Sequence, residues 1–208
     1  MMYSIKEIYK TIQGEGAQAG SAAVFVRFSG CNLWSGREKH REQAVCKFCD
    51  TDFVGTNGIN GGNYSVTALS QRISDIWGVS NNKLIVFTGG EPMLQLDERL
   101  IKACQINGFK TAIETNGTIP INFQIDWVCV SPKEGSELIV KSGNELKVVY
   151  PQLGQDLKEL ESLKFDHFFL QPMDGDQGRK NTDQTIQYCL ENPAWKLSIQ
   201  QHKLIGMP

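Results

Sequence analysis

Residues 83–92, KLIVFTGGEP, carry the pattern on which the fold turns. KLIVFT is a short apolar run rich in β-branched and aromatic side chains, so it reads as a buried strand over 83–88. Two glycines, a glutamate and a proline follow, and they close the strand in a turn. The arrangement recurs along the chain. AAVFVRF, 22–28, stops at Ser29-Gly30, and further strands are expected at 110–115, 126–131, 145–150, 167–170 and 196–201. ETNG (114–117), SPK (131–133) and QPMDG (171–175) each sit at the C-terminal end of such a strand. Helices are expected between them. One spans 65–77, with Ser65 as N-cap, Leu69, Ile73, Ile76 and Trp77 at helical spacing, and Gly78 just past its end. Others lie at 96–106, 154–163 and 182–191, and the glycine-asparagine stretch 55–63 reads as a surface loop.

Alternating strands and helices imply right-handed crossovers and a mainly parallel sheet. Such sheets collect ligands at the C-terminal ends of their strands, where the four short motifs lie. About six strands are too few to close an eight-stranded barrel. The expected fold is therefore α/β: a partial, open (β/α) barrel of about six mainly parallel strands in one domain, residues 1–208.

Composition narrows the function. With 21 basic and 23 acidic residues among 208, the net charge is −2. There is no global basic field, which argues against nucleic acid as a direct partner. No apolar run approaches the roughly 20 residues that span a bilayer, and MMYSIKEIYKTIQGEG lacks the apolar core of a signal peptide. A cytoplasmic setting, with reduced thiols and no membrane partner, is the expectation.

Three of the six cysteines fall in CNLWSGREKHREQAVCKFCD, residues 31–50. Cys31 sits at a strand terminus, and Cys46 and Cys49 form a C-x-x-C. Three readings stay open from the residues alone. The thiols could bind nothing. His40 could complete a Cys3His zinc set, although GREKHREQ around it is highly charged. Or three thiolates could hold a [4Fe–4S] cluster whose fourth iron takes a ligand from outside the protein. Cys104, Cys129 and Cys189 lie in apolar patterns and read as core.

GCNL…CKFCDT resembles the cluster loop of radical S-adenosylmethionine enzymes, with Phe48 as the aromatic residue before the last cysteine. Their common C-x3-C-x2-C is lengthened here by eleven residues. That long-loop variant is similar to the 7-carboxy-7-deazaguanine synthase family, of 7-deazapurine and queuosine biosynthesis. YKTIQGEG, VFVRFSGCNLW, CDTDF, TGGEP, ETNG, SPK and QPMDG match that family in order, over essentially the whole chain.

The resemblance implies a carbon–nitrogen lyase that converts 6-carboxy-5,6,7,8-tetrahydropterin to 7-carboxy-7-deazaguanine with loss of ammonia. Its cofactors would be a [4Fe–4S] cluster on Cys31, Cys46 and Cys49, S-adenosylmethionine, and Mg2+ on Thr51. Phe48, Cys49, Asp50, Gly90, Ser131, Pro132, Lys133, Gln171, Pro172, Met173 and Asp174 would border S-adenosylmethionine. Ile12, Gln13, Gly14, Glu15, Arg27, Thr88, Glu114, His202 and the terminal carboxylate of Pro208 would meet the pterin. Arg27 suits the substrate carboxylate, because a guanidinium is a bidentate fork. An electron donor such as a flavodoxin and a homodimer are implied as well. The rivals are a glycyl-radical activating enzyme, which shares the CNL loop but acts on a protein, and a non-catalytic zinc module using His40.

Overall fold

The computed structural model describes residues 2–207. Among them, nine strands form one sheet. They are β1 (Tyr3–Ile12), β2 (Ala22–Phe28), β3 (Gly62–Tyr64), β4 (Leu84–Gly89), β5 (Lys110–Thr115), β6 (Trp127–Val130), β7 (Ser142–Tyr150), β8 (Lys164–Pro172) and β9 (Trp195–Leu197). The order is β3-β1-β2-β4-β5-β6-β7-β8-β9. Every pairing from β2 to β9 is parallel, whereas β1 pairs antiparallel with both β2 and β3. The expected open, partial barrel is present, extended at one edge by an antiparallel pair. Five helices accompany it: α1 (Val66–Trp77), α2 (Glu98–Ile106), α3 (Leu157–Glu161), α4 (Gly178–Glu191) and α5 (Gln201–Ile205).

Local chemistry sets the boundaries. Ser65 Oγ accepts from Ala68 N at 3.2 Å and starts α1. Gly78, with φ +85°, closes it in a conformation other residues reach only with strain. α2 begins at Glu98 rather than 96, because Asp97 Oδ1 caps Leu100 N at 3.1 Å. α3 is shorter than the expected 154–163, since Asp156 caps Lys158 N and Glu159 N. α4 starts four residues before 182, at Gly178. The stretch 55–63 is no free loop: Ile8 N donates to Ile59 O and Gly58 N to Lys6 O, and the segment runs into β3. The strand expected at 196–201 is the short β9, and the chain then turns into α5.

The sheet has two unlike faces. Towards α1 and α2 it presents Ile5, Ile8, Val24, Val26, Ile85 and Phe87, packed against Leu69, Ile73 and Leu100. A second cluster joins Val130, Leu146, Val148 and Leu170 to Leu157, Leu160 and Trp195. Each such side chain stabilises the fold by roughly 1.5–3 kcal/mol, so these clusters bind helices to sheet. The other face is apolar only at its base, where Ala23, Phe25, Val86 and Ala112 meet. Two residues further along the same strands it turns polar, at Arg27, Thr88 and Glu114, because a period of two returns each side chain to the same face.

Candidate active site

A cavity of about 430 Å³ lies over that polar end of the inner face. One wall is a row of side chains linked from strand to strand. Thr88 Oγ1 donates to Glu114 Oε2 at 3.2 Å. Gln13 Nε2 donates to Glu114 Oε1 at 3.1 Å. Lys147, on β7, reaches the same oxygen at 3.2 Å and Glu15 Oε2 at 2.5 Å. Gln171 and Gln200 donate to Glu15 Oε1 at 3.2 and 2.9 Å. Burial alone would push the Glu15 carboxyl up, but the adjacent Lys147 ammonium outweighs it and holds the group down to about 2. Lys147 is likewise desolvated, and Glu114 and Glu15 outweigh that to hold it well above the ordinary lysine value.

Arg27 lines the cavity but is not unpartnered. Its Nε donates to Glu7 Oε1 at 2.8 Å, across the β1–β2 register, and an Nη donates to Tyr9 Oη at 3.1 Å. Glu7 resolves the cost of a charge in an apolar strand.

The facing wall is built from the cysteine loop. Cys46 and Cys49 line the cavity. The Cys46 thiol donates to Cys49, which raises Cys46 and, with the Thr51 amide and hydroxyl, draws Cys49 down to about 6. Cys31 stands just behind the lining. Burial raises its thiol, and Leu33 N donates to its Sγ at 3.4 Å. A Cβ on Gly90 would strike the Gly30 carbonyl and Cys31 Cβ, so the glycine in TGGEP is what lets that loop close on the first cysteine.

The long insert has its own order. It forms a 3-10 helix, Glu38–Gln43, with no buried residue. From it Arg41 donates to the carbonyls of Lys47 (2.8 Å) and Cys49 (3.1 Å) and stacks 4.1 Å over the Trp34 ring. The insert is therefore a brace on the C-x-x-C turn. His40 Nδ1 pairs with Ser35 Oγ at 2.8 Å. Among the described residues, no three His, Cys, Asp or Glu side chains close on a single ion.

The donor set suits a group larger than one ion. Three thiols share one loop, the lowered Cys49 thiol is ready to ligate, and the Lys133 ammonium faces Cys46 and Cys49. The buried Trp34 Nε1–H of the same loop has no acceptor among the described residues. Thr51 offers magnesium one hydroxyl, which here donates to Cys49, and the adjacent Asp52 is bound to Lys6 at 2.7 Å. A magnesium ion would draw its other ligands from water and substrate.

The remaining expected residues divide cleanly. Phe48, Asp50, Ser131, Lys133, Pro172, Met173 and Asp174 line the cavity, as do Ile12, Gly14 and His202. Pro132 does not. Ser131 and Lys133 face inward, and the residue between them turns away and is buried, its carbonyl taking Gln155 Nε2 at 3.5 Å. Pro208 lies outside the described residues. Cys104 and Cys129 are buried, but Cys129 sits against Glu145 at 3.5 Å rather than in an apolar core. Cys189 is only half-buried. Lys147, Glu7, Arg41 and Lys203 are missing from the expected set.

α5 closes the near side. Gln201 N donates to Gly14 O at 3.0 Å. Lys203 Nζ reaches Asp50 Oδ2 at 2.9 Å and Asp174 Oδ2 at 2.5 Å, joining the loops after Cys49 and β8. At the back, fully buried Glu91 accepts from Met93 N (2.9 Å), Thr115 Oγ1 (2.7 Å) and Asn116 N (2.8 Å), tying the end of β4 to the end of β5. Burial pushes its carboxyl up, and those donors oppose the shift.

No protein-family model matches the chain. Whole proteins do. A 7-carboxy-7-deazaguanine synthase of Bordetella pertussis is 55% identical over 210 residues, covering 100% of both chains. One from Bradyrhizobium diazoefficiens is 54% identical, again over 100% of both. One from Bacteroides thetaiotaomicron is 40% identical over the same full extent. The crystal structure of QueE from Escherichia coli superposes with a TM-score of 0.75 at 28% identity, covering 97% of this chain and 95% of that one.

Proposed function

The chain belongs to the 7-carboxy-7-deazaguanine synthase family, and from that premise we propose how its cavity serves the family's reaction. The enzyme is a radical S-adenosylmethionine lyase. It contracts 6-carboxy-5,6,7,8-tetrahydropterin to 7-carboxy-7-deazaguanine with loss of ammonia, on the route to queuosine. One observation supports this assignment of the cavity above the rest: two thiols of a three-cysteine loop and a strand-borne row of charged groups line the same 430 Å³ space.

When bound, a [4Fe–4S] cluster on Cys31, Cys46 and Cys49 with S-adenosylmethionine supplies the electron and the radical that takes hydrogen from the substrate. The protein's own part is placement. The backbone at Gly90, the Phe48 ring, Asp50, Ser131, Lys133, Gln171, Pro172, Met173 and Asp174 hold S-adenosylmethionine at the thiol wall. Arg27 receives the substrate carboxylate with the charge that Glu7 and Tyr9 orient. Gln13, Glu15 and Glu114 take hydrogen bonds from the heterocycle, Thr88 and His202 flank it, and the backbone at Ile12 and Gly14 completes that end. Phe25 forms the apolar floor, with Val86 and Ala112 packed beside it. Mg2+ on Thr51, a carboxylate contact from Pro208, a flavodoxin-like donor, a homodimer and a cytoplasmic setting belong to the same reading. The six free cysteines agree with a reducing compartment.

The test is anaerobic turnover of the carboxytetrahydropterin with product mass analysis, beside iron and sulfide content. Cys31→Ala, Cys46→Ala and Cys49→Ala should each abolish product and cluster, and His40→Ala should keep both. Cluster retained in the cysteine variants but lost in His40→Ala would overturn the assignment.

A further inference from the structure

Lys147 occupies the centre of the polar wall, between Glu15 and Glu114. It is 5% exposed, inside a cavity, on the inner face of β7. A buried lysine is tolerated only when its charge is met. Here two carboxylates meet it, from places far apart in the chain: Glu15 in the turn after β1 and Glu114 at the end of β5. Both also line the cavity. The bridge fixes two flexible side chains that the strands alone would leave with several rotamers. Gln171 and Gln200 on Glu15, and Gln13 and Thr88 on Glu114, take two further lone pairs of each carboxylate, so each is held from more than one side and keeps one of its roughly four acceptor sites, on Oε2, for a ligand.

We propose that Lys147 is a positioning residue that holds Glu15 and Glu114 as a rigid pair of hydrogen-bond acceptors, so that the pocket selects a heterocycle by an edge rich in N–H donors. This rests on the reading of the wall as the substrate side. An ionised carboxylate accepts and cannot donate. A 2-amino heterocycle with a ring N–H satisfies the pair, whereas a 2-oxo analogue brings its own acceptor against them and leaves lone pairs opposed. Buried mismatches of that kind discriminate strongly. The ammonium also offsets the repulsion of two neighbouring carboxylates, which without it would favour taking up a proton.

The charged groups around this cluster come from every element packed on it. They are Glu145 beside Lys147 on β7, Cys129 on β6, Lys133 after β6, and His202 on α5 near Glu15. Arg27 and Glu7 stand beyond Tyr9, which feels both Arg27 and Glu114. None of them replaces Lys147, because the bonds to Glu15 and Glu114 are made by its ammonium alone among these cations.

The experiment uses the reconstituted holoenzyme. Lys147→Met keeps length and removes charge, and Lys147→Arg restores charge. Steady-state constants are measured separately for the carboxytetrahydropterin and for S-adenosylmethionine, with kcat/KM followed from pH 5 to 8. Lys147→Met should raise the pterin KM about tenfold or more and leave the S-adenosylmethionine KM within about twofold, the scale of one charge-assisted contact. The acid limb of the profile should move to higher pH, because the Glu15 carboxylate loses the ammonium that holds it down. Lys147→Arg should recover part of both effects. The 2-oxo analogue, tested as an inhibitor, should bind wild type poorly and lose that disadvantage in Lys147→Met. A pterin KM and acid limb unchanged in Lys147→Met overturn the proposal, as does equal damage to both ligands. Should Lys147→Met fail to fold, Lys147→Gln, which keeps an N–H donor and removes the charge, reads the same acid limb and the same analogue preference. If wild type itself makes no product from the pterin, the reading of the site has failed, and the analogue arm still reports on the acceptor pair.

Discussion

The two walls of the cavity are built by opposite means. The polar wall stands on strands: Arg27, Thr88, Glu114, Lys147 and Gln171 project from β2, β4, β5, β7 and β8, with β6 between the third and fourth, and each is hydrogen-bonded to another side chain. The thiol wall stands on a loop whose 3-10 segment, Glu38–Gln43, has no buried residue, and a few contacts hold it, chiefly those of Arg41 to the carbonyls of Lys47 and Cys49 and the backbone bonds of Val45 and Cys46 to Leu33 O. A strand fixes position through a ladder of backbone bonds that also carries the core. A loop fixes position through single contacts that can be removed without touching the core. Recognition of a flat heterocycle suits the first. Admission of a bulky inorganic group after folding suits the second.

The contrast can be broken at its seam. Glu91 lies where β4 and β5 end, and Glu91→Ala leaves the Thr115 hydroxyl and the Asn116 and Met93 amides without their acceptor. Each buried donor left unpaired costs about 1–3 kcal/mol. A loss of roughly 3 kcal/mol or more, or about 6–12 °C in melting temperature, is expected in a thermal melt. A drop under a couple of degrees would show that the strand ends do not depend on this clamp. Arg41→Ala sharpens the other side. It removes the brace on Lys47 and Cys49 and the stacking on Trp34, so reconstituted protein should lose iron and sulfide several times faster on gel filtration. The melting temperature of the metal-free chain should hardly move. Equal cluster retention would remove the insert from any part in building the wall. The smallest effect belongs to neither wall: Glu98→Gln breaks an exposed pair with Lys102 at 2.8 Å on α2, and melting should register no more than about 0.5 kcal/mol.

Strand ends were legible because their signal is local. KLIVFTGGEP shows an apolar run and its glycine stop within ten residues, and the structure places β4 there. β1 escaped because Lys6, Glu7 and Lys10 interrupt its apolar residues and a register shift between Ile5 and Glu7 breaks the period of two. α5 begins where the strand expected at 196–201 ends and was not foreseen, because Leu204 and Ile205 are too short a run to show a helical period. Pro132 was placed in the cavity by its motif, although neighbours in an extended chain face opposite ways. Lys147 could not be read at all. Its partners lie 132 and 33 residues away, and a lysine in a strand ordinarily signals solvent. Arg41 likewise looked like one charge among many in GREKHREQ, and only the folded loop shows which carbonyls it holds.

Among the described residues, Lys203 is the last in sequence to line the cavity, and its ammonium joins Asp50 to Asp174. During synthesis the sheet can therefore assemble while the wall between those two loops still stands apart. A chain cut before α5 would keep the residues of the core clusters and all three thiols yet leave the Asp50 and Asp174 loops unjoined. Closure of the cavity is thus left to the last helix of the described residues, and a check that senses only a folded core would pass a molecule whose cavity is still open.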